Sequence, residues 1–208
     1  MVDTSTTKTI VGLVLAGGAS RRMGRNKAGL PFDGETLLAR AITRLAPQVA
    51  AVAVSVDPAE PALAAAGVTV LPDPLPDRPG PLAGMLAGLL WAAERGAARL
   101  QVVPVDAPFL PDDLVVRLAA TAGGGIAVAH SGGRAHPVVV QLPVALAADL
   151  AAHLAGGGPR AVARWLDRHD PRPVEFALRA DGVDPFLNLN TPEDLDRAAD
   201  LLAGPGDA

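Results

Sequence analysis

The chain has 208 residues, a formal net charge of −4 and no cysteine. The acidic balance argues against non-specific DNA binding, which needs a basic surface, and the lack of cysteine excludes disulfides and thiolate metal sites. No stretch approaches the roughly 20 uninterrupted apolar residues of a membrane span, and residues 1–9 lack the apolar core of a signal peptide. We therefore expect a cytoplasmic protein without nucleic-acid or membrane partners, folded as one domain over 1–208 with its core at about 10–202.

Strands and helices are predicted to alternate along the first half of the chain. An apolar run that begins at Ile10 and ends in paired glycine predicts a buried strand. Apolar residues at helical spacing, and short runs of branched residues, then predict helices and strands in turn. The predicted helices are 35–45, 59–66, 82–95 and about 111–120, and the predicted strands are 49–56, 68–71 and 99–105. This alternation implies a mostly parallel sheet covered on both faces.

The second half of the chain is less regular. Two strands, 125–129 and 136–141, are predicted to form a small β-hairpin insertion around the turn 131–134. Further helices are predicted over 143–154 and 160–168, an edge strand over 174–178, and a last helix that Thr191 caps and that ends near 202. The expected fold class is α/β, a Rossmann-like three-layer sandwich with a mostly parallel central sheet.

The glycine loop after the first strand predicts a site for a triphosphate. Gly17 and Gly18 allow a sharp turn, and successive backbone N–H groups in such a turn can converge on an anion. Lys27 adds a point charge to the positive charge of Arg21, Arg22 and Arg25. The spacing is that of neither the P-loop nor the dinucleotide fingerprint.

Polar residues that follow other predicted strands point to the same crevice. In an open α/β sheet, ligands bind beyond the carboxyl ends of the strands near a topological switch point. Ser55, Asp73 and Asp106 all fall there, with the glycine loop. Asp106 is the predicted Mg²⁺ carboxylate, because Mg²⁺ combines one or two carboxylates with phosphate oxygens; its alternative role is a turn or helix-cap residue. Asp73 is either a turn residue or an acceptor for a base or ribose.

Two asparagines and a histidine complete the candidates. Asn188 and Asn190 flank Leu189, so in an extended segment both lie on one face and offer amide groups to a metal or a phosphate. The alternative for Asn190 is a cap on the last helix. A lone histidine at the start of a predicted strand favours a structural role for His136, and no partner carboxylate can be assigned to it from the sequence.

Five sequence strings in chain order resemble the molybdenum cofactor guanylyltransferases, the MobA family of the nucleotidyltransferase superfamily. Residues 15–27 match the signature Leu-Ala-Gly-Gly-x-Ser-x-Arg-Met-Gly-x-x-Lys, and the others are 80–85, 106–111, 136–137 and 186–195. The resemblance covers about 10–202. It implies an enzyme with one nucleotidyltransferase domain that uses Mg²⁺ to transfer GMP from GTP to molybdopterin and releases pyrophosphate. Molybdoenzymes or other proteins of the cofactor pathway are further candidate partners.

The resemblance also implies roles for individual residues. Lys27, Asp106 and Arg22 would act in catalysis, with Asp106 holding the metal, and Asn188 and Asn190 would lie on the pterin side. The implied nucleotide-binding residues are Leu15, Ala16, Gly17, Gly18, Lys27, Ser55, Asp73 and Asp106. Ser55 stands where the family commonly has Asn, which leaves the nucleotide preference open.

Other functions remain open at this point. The paired glycines favour a guanylyltransferase over the related cytidylyltransferase, whose loop has an Ala-Ala-Gly version. A sugar-phosphate nucleotidyltransferase would use the same chemistry on another acceptor. An alternative from a different functional class is a non-catalytic nucleotide-binding regulator or a chaperone for a molybdoenzyme. The presence of Lys27 and Asp106 argues against this alternative.

Overall fold

A computed structural model describes residues 10–17, 27–55, 68–72 and 80–203. Its strands are β1 (Ile10–Leu15), β2 (Pro31–Phe32), β3 (Glu35–Thr36), β4 (Val52–Ser55), β5 (Thr69–Leu71), β6 (Arg99–Pro104), β7 (Ala127–Ser131), β8 (Arg134–Pro143) and β9 (Arg172–Phe176). Its α-helices are α1 (Leu37–Leu45), α2 (Pro81–Glu94), α3 (Leu114–Ala122), α4 (Ala147–Ala155), α5 (Val162–Leu166) and α6 (Pro192–Ala203). The helix predicted over 59–66 lies outside the described residues. Within them, no helix is long and apolar enough to cross a membrane.

The central sheet has seven strands in the order β5-β4-β1-β6-β8-β7-β9, which confirms the predicted α/β class. β1 pairs in parallel with both β4 and β6, and β8 runs antiparallel to its two neighbours. From β1 the chain moves outward to β4 and β5, and then returns to the other side of β1 at β6. This reversal puts a topological switch point between β1 and β6, where open α/β sheets bind ligands.

The predicted hairpin forms between β7 and β8, and both of its strands belong to the central sheet. Gly132 and Gly133 turn the chain with φ values of 54° and 75°, the positive values that a tight hairpin turn requires. The pairing then shifts from Ala129↔His136 to Val128↔Val140, so β8 bulges over 137–139. Pro137 is tolerated in the bulge because it has no N–H to contribute to a ladder. A separate small hairpin, β2 with β3, lies outside the central sheet.

Helices cover both faces of the sheet. Alternate residues of β1 point to opposite sides: Val14 packs into one apolar cluster, and Leu13 and Leu15 pack into the other. The first cluster includes residues of α1, α3 and α6, and the second includes residues of α2, α4 and α5. The strands between them are buried on both sides, which is why they appear in the sequence as continuous apolar runs.

Helix α2 approaches the sheet closely at two glycines. A Cβ built on Gly84 would lie 2.6 Å from the Ser55 hydroxyl oxygen and 2.7 Å from a Leu15 methyl carbon. A Cβ on Gly88 would lie 2.6 Å from a Leu13 methyl carbon. Because no side chain fits there, the two glycines let the helix backbone lie directly on β1 and β4. The first turn of α2, where Pro81 follows Gly80, begins beside the same strand ends.

Candidate active site

The start of the glycine loop is tied to the strands on both sides of it. Leu15 accepts a hydrogen bond from the N–H of Val105 at 3.0 Å, next to β6. The N–H groups of Ala16 and Gly17 donate to the carbonyl oxygen of Ser55, at 2.9 and 3.0 Å, at the end of β4. These two N–H groups are therefore already hydrogen-bonded within the fold. The anion-binding turn is predicted at Gly17 and Gly18; the N–H of Gly17 is already paired with Ser55, and Gly18 lies outside the described residues.

Ser55 is buried at the end of β4 and holds the loop through its backbone. Its hydroxyl lies against Gly84 of α2 in the close approach described above. A serine fits this space because its side chain is short. The predicted contact of Ser55 with the base or ribose stays a prediction.

Lys27 lies at the centre of the site, between two residues that are distant in the sequence. Its Nζ donates to Asp106 Oδ2 and to Asn190 Oδ1, at 2.7 Å in each case. The Lys27 and Asp106 side chains are only 15% and 17% exposed. A carboxylate oxygen and an amide oxygen thus converge on one cation at the carboxyl end of β6.

The loop that carries Asp106 is held by side chains of α1. Arg40 donates from Nε to the carbonyl oxygen of Pro108 at 3.3 Å, and Arg44 donates to that of Leu110 at 2.7 and 3.0 Å. Gln48 follows α1 and donates to the carbonyl oxygen of Pro111 at 2.9 Å. These contacts fix the backbone that follows Asp106. The sequence does not indicate them, because spacing within a helix does not show which distant loop its charged face meets.

The segment before α6 returns to Asp106. The N–H of Leu189 donates to the carbonyl oxygen of Asp106 at 2.9 Å, and the Leu189 side chain is buried. Asn188 and Asn190, on either side of it, are both exposed, as expected for two residues on one face. Asp194 Oδ2 accepts from the N–H groups of Asn190 and Thr191 at 2.9 Å.

Thr191 caps α6, as predicted, so the side chain of Asn190 is not needed there. The Thr191 hydroxyl accepts the N–H of Asp194 at 3.1 Å, which completes a reciprocal cap. The alternative of Asn190 as the helix cap is therefore wrong. Its side-chain oxygen instead accepts from Lys27.

His136 has a carboxylate partner that the sequence did not indicate. His136 Nε2 lies 2.7 Å from the Ser131 hydroxyl, which donates to Asp184 Oδ1 at 2.6 Å. Burial lowers the pKa of His136, while the nearby charge of Asp184 opposes that shift, so the imidazole is neutral at pH 7. Asp184 is 48 residues away from His136 and belongs to none of the strings that carry the resemblance, so no signal in the sequence pairs them.

The structure thus brings part of the predicted site together. Lys27, Asp106 and Asn190 are in contact, and Leu15, Ala16, Gly17 and Ser55 lie at the adjacent strand ends. Asn188 is exposed two residues before Asn190. Gly18, Arg22 and Asp73 lie outside the described residues. Across the residues that the structure describes, no three His, Cys, Asp or Glu side chains cluster to hold a metal.

Residues 12–171 match the protein-family model described as "MobA-like NTP transferase domain". The chain belongs to the MobA-like NTP transferase family. It is a nucleotidyltransferase, as the resemblance predicted. The match ends before Asn190, which joins the candidate site through its contact with Lys27.

The chain also resembles known proteins in sequence and in fold. A molybdenum cofactor guanylyltransferase of Rhizobium meliloti is 45% identical over 193 residues, which are 89% of this chain and 88% of the relative. A molybdopterin-guanine dinucleotide biosynthesis protein A of Archaeoglobus fulgidus has the same fold, with a TM-score of 0.71 and 22% identity over 94% of this chain and 100% of that one. A Mycobacterium tuberculosis protein, solved as a complex with manganese, has a TM-score of 0.68 and 20% identity over 93% and 99%.

Proposed function

We propose that this MobA-like transferase transfers GMP from GTP to the phosphate of molybdopterin. The observation that carries the proposal is the Lys27 ammonium held between Asp106 and Asn190 at the switch point of the sheet. Nucleotidyl transfer requires neutralised phosphate charge and fixed positions for the reacting groups, with little covalent work by the protein. The relative from Rhizobium meliloti, named a guanylyltransferase, supports GTP and molybdopterin as the substrates.

A divalent cation, Mg²⁺ in our proposal, would be held by Asp106 with Asn190 as a second oxygen donor. The site fits such an ion because both oxygens already lie 2.7 Å from one cation, the Lys27 ammonium. Mg²⁺ typically takes one or two protein oxygens and completes its shell with water and substrate phosphates. When bound, the ion would neutralise charge on the reacting phosphates.

The reaction forms one bond to phosphorus and breaks another. An oxygen of the molybdopterin phosphate attacks the α-phosphorus of GTP, and the bond from that phosphorus to the oxygen bridging to the β-phosphate breaks. Pyrophosphate leaves with the electron pair. The attacking phosphate is already anionic at neutral pH, so the chain needs no general base.

Within this scheme the positive side chains act on the leaving group. Lys27, and Arg22 by the resemblance, would stabilise the pyrophosphate as it departs. The loop that starts with Leu15, Ala16 and Gly17 and continues with Gly18 would hold the triphosphate, while Ser55 and Asp73 would contact the base or ribose. Asn188 and Asn190 would face the pterin. The chain would act in the cytoplasm.

The test is turnover with GTP, CTP and ATP in parallel, with molybdopterin and Mg²⁺ present. We expect pyrophosphate release and a pterin dinucleotide product with GTP. Turnover with CTP alone would make the protein a cytidylyltransferase instead. Turnover only when a sugar phosphate replaces molybdopterin would change the acceptor, and no pyrophosphate with any acceptor would favour a non-catalytic regulator.

A further inference from the structure

A largely buried chain of polar groups joins the β7–β8 hairpin to the segment that precedes the site asparagines. The Ser131 side chain is fully buried, and His136 is 8% exposed. Besides the hydroxyl of Ser131, Asp184 Oδ1 accepts the N–H of Phe186 at 2.8 Å. The three side chains therefore meet where the hairpin reaches the edge of the sheet that holds Asp106, because β8 runs antiparallel to β6.

The direction of these hydrogen bonds follows from counting protons. An ionised carboxylate only accepts, so the single hydroxyl proton of Ser131 is donated to Asp184. The Ser131 oxygen can then only accept from His136, which requires the proton of the neutral imidazole to be on Nε2. The chain of donation thus runs from His136 through Ser131 to Asp184. A loss of any member leaves a buried polar group without its partner.

Aromatic packing holds the same segment in place. The Phe186 ring lies 4.9 Å from the His136 ring and 5.1 Å, edge to face, from the Phe176 ring of β9. Phe186 is buried with 1% exposure. The polar chain and the aromatic contacts therefore both hold the first residues of the segment against β7, β8 and β9.

The segment passes from this anchor to the site within a few residues. The Asp184 carbonyl oxygen accepts the N–H of Leu187 at 3.1 Å, which closes a turn. Two residues later, Leu189 donates to the backbone of Asp106, and Asn190 then contacts Lys27. Asn188 lies between the two attachment points, so its position depends on both of them.

We propose that Ser131, His136 and Asp184 are positioning residues that set where Asn188 and Asn190 stand for the acceptor substrate. They act through the backbone of 184–190 and do not themselves touch the reacting phosphates. The proposal deepens the proposed function and rests on it for the identity of the acceptor. Its structural half, that Asp184 holds the segment against Asp106, does not depend on which acceptor is used.

The test compares Asp184→Ala with Asp184→Asn. Alanine removes the acceptor of both the Ser131 hydroxyl and the Phe186 N–H, whereas asparagine keeps an oxygen at that position. We expect Asp184→Ala to lower kcat/KM for molybdopterin about tenfold or more, with GTP affinity within about threefold of wild type, because a displacement near 1 Å is enough for such losses. Asp184→Asn should recover most of the activity. Ser131→Ala should act in the same direction, and it serves as the second variant if Asp184→Ala does not fold.

Asp149→Ala is the matched control. Asp149 also accepts from a buried side chain, the Trp165 indole N–H at 2.9 Å, but it belongs to α4 on the other face of the sheet. Its loss should reduce stability without changing kcat/KM for either substrate. If Asp184→Ala behaves in the same way, the three residues are merely structural and the proposal is wrong.

Hydrogen exchange at the Leu189 amide separates this proposal from the proposed function. That amide is protected by the carbonyl oxygen of Asp106, so it should exchange faster in Asp184→Ala and at the wild-type rate in Asp149→Ala. Unchanged exchange in Asp184→Ala would overturn the proposal. Faster exchange in a protein that does not turn over molybdopterin would overturn the proposed acceptor and leave the positioning role standing.

Discussion

The Lys27 ammonium occupies the place between two oxygens that a metal ion would take. Lys27→Met keeps most of the length of the side chain and removes its charge. Without nucleotide, we expect this variant to bind Mn²⁺ more tightly than the wild type, because the ion no longer has to displace the ammonium from Asp106 and Asn190. The same variant should bind GTP more weakly, because a triphosphate loses a point charge.

The size of the effect follows from the Lys27–Asp106 contact. At 2.7 Å, two unit charges attract by roughly 1.5 kcal/mol at the dielectric of water and roughly 6 kcal/mol at an effective dielectric of 20. The two side chains are mostly buried, and their desolvation offsets part of this attraction. A charged hydrogen bond contributes about 1.5–3 kcal/mol net, which corresponds to about 10- to 150-fold in affinity for Mn²⁺.

The assay is calorimetric titration of the nucleotide-free protein with Mn²⁺. Lys27→Arg is the control, since it keeps the charge and should bind the ion no more tightly than the wild type. Asp106→Asn in the Lys27→Met background should reverse the gain by removing the carboxylate charge. Equal Mn²⁺ affinity in the wild type and Lys27→Met would refute the reasoning, because the ammonium would then not compete for the cation site.

Three further predictions concern the proposed metal carboxylate Asp106, the contact of α2 with the sheet and the contact between α4 and α5. Asp106→Ala should still fold and show a cooperative thermal unfolding transition, but it should lose nearly all pyrophosphate release. Full activity in this variant would exclude the metal role of Asp106. Gly84→Ala should lower the free energy of unfolding in urea by about 1–3 kcal/mol, because its Cβ would meet Ser55 and Leu15, whereas Gly124→Ala, which has open space, should be nearly neutral. Asp149→Ala should cost about 1–3 kcal/mol by leaving the buried Trp165 indole without an acceptor. That indole bond is the main reason why the pKa of Asp149 is lowered. The stabilisation is therefore fully present above the ordinary carboxyl pKa and is lost as pH falls through the lowered value. Asp149→Asn should flatten this acid dependence of the unfolding free energy.

Hydrophobic periodicity predicted most elements, but their ends depended on local contacts. The predicted helix 35–45 begins at Leu37, because Glu35 and Thr36 pair with β2 across a turn in which Asp33 and Gly34 have positive φ. The Thr36 hydroxyl then caps the helix by accepting the N–H of Ala39. Such an end is set by a turn and a cap together, and apolar spacing alone does not show it.

The site was predictable where one chain segment carries its own signal. The strand before Asp106 and the glycine loop before Lys27 have such signals, and the structure brings these two residues together. No such sequence signal exists for the hydrogen bonds of Arg40 and Arg44 to the loop after Asp106. The pairing of His136 with Asp184 has no such signal either. Both depend on how β8 bulges and where α1 packs, which are properties of the assembled sheet.

The contacts of Lys27 also span most of the chain. Asp106 is 79 residues from it in sequence and Asn190 is 163 residues away. A ligand that engages all three would link distant parts of the chain without a covalent bond, and it would stabilise the folded state by an amount that grows with the logarithm of the ratio of its free concentration to its Kd. Substrate loading and fold stability are therefore one linked equilibrium in this molecule.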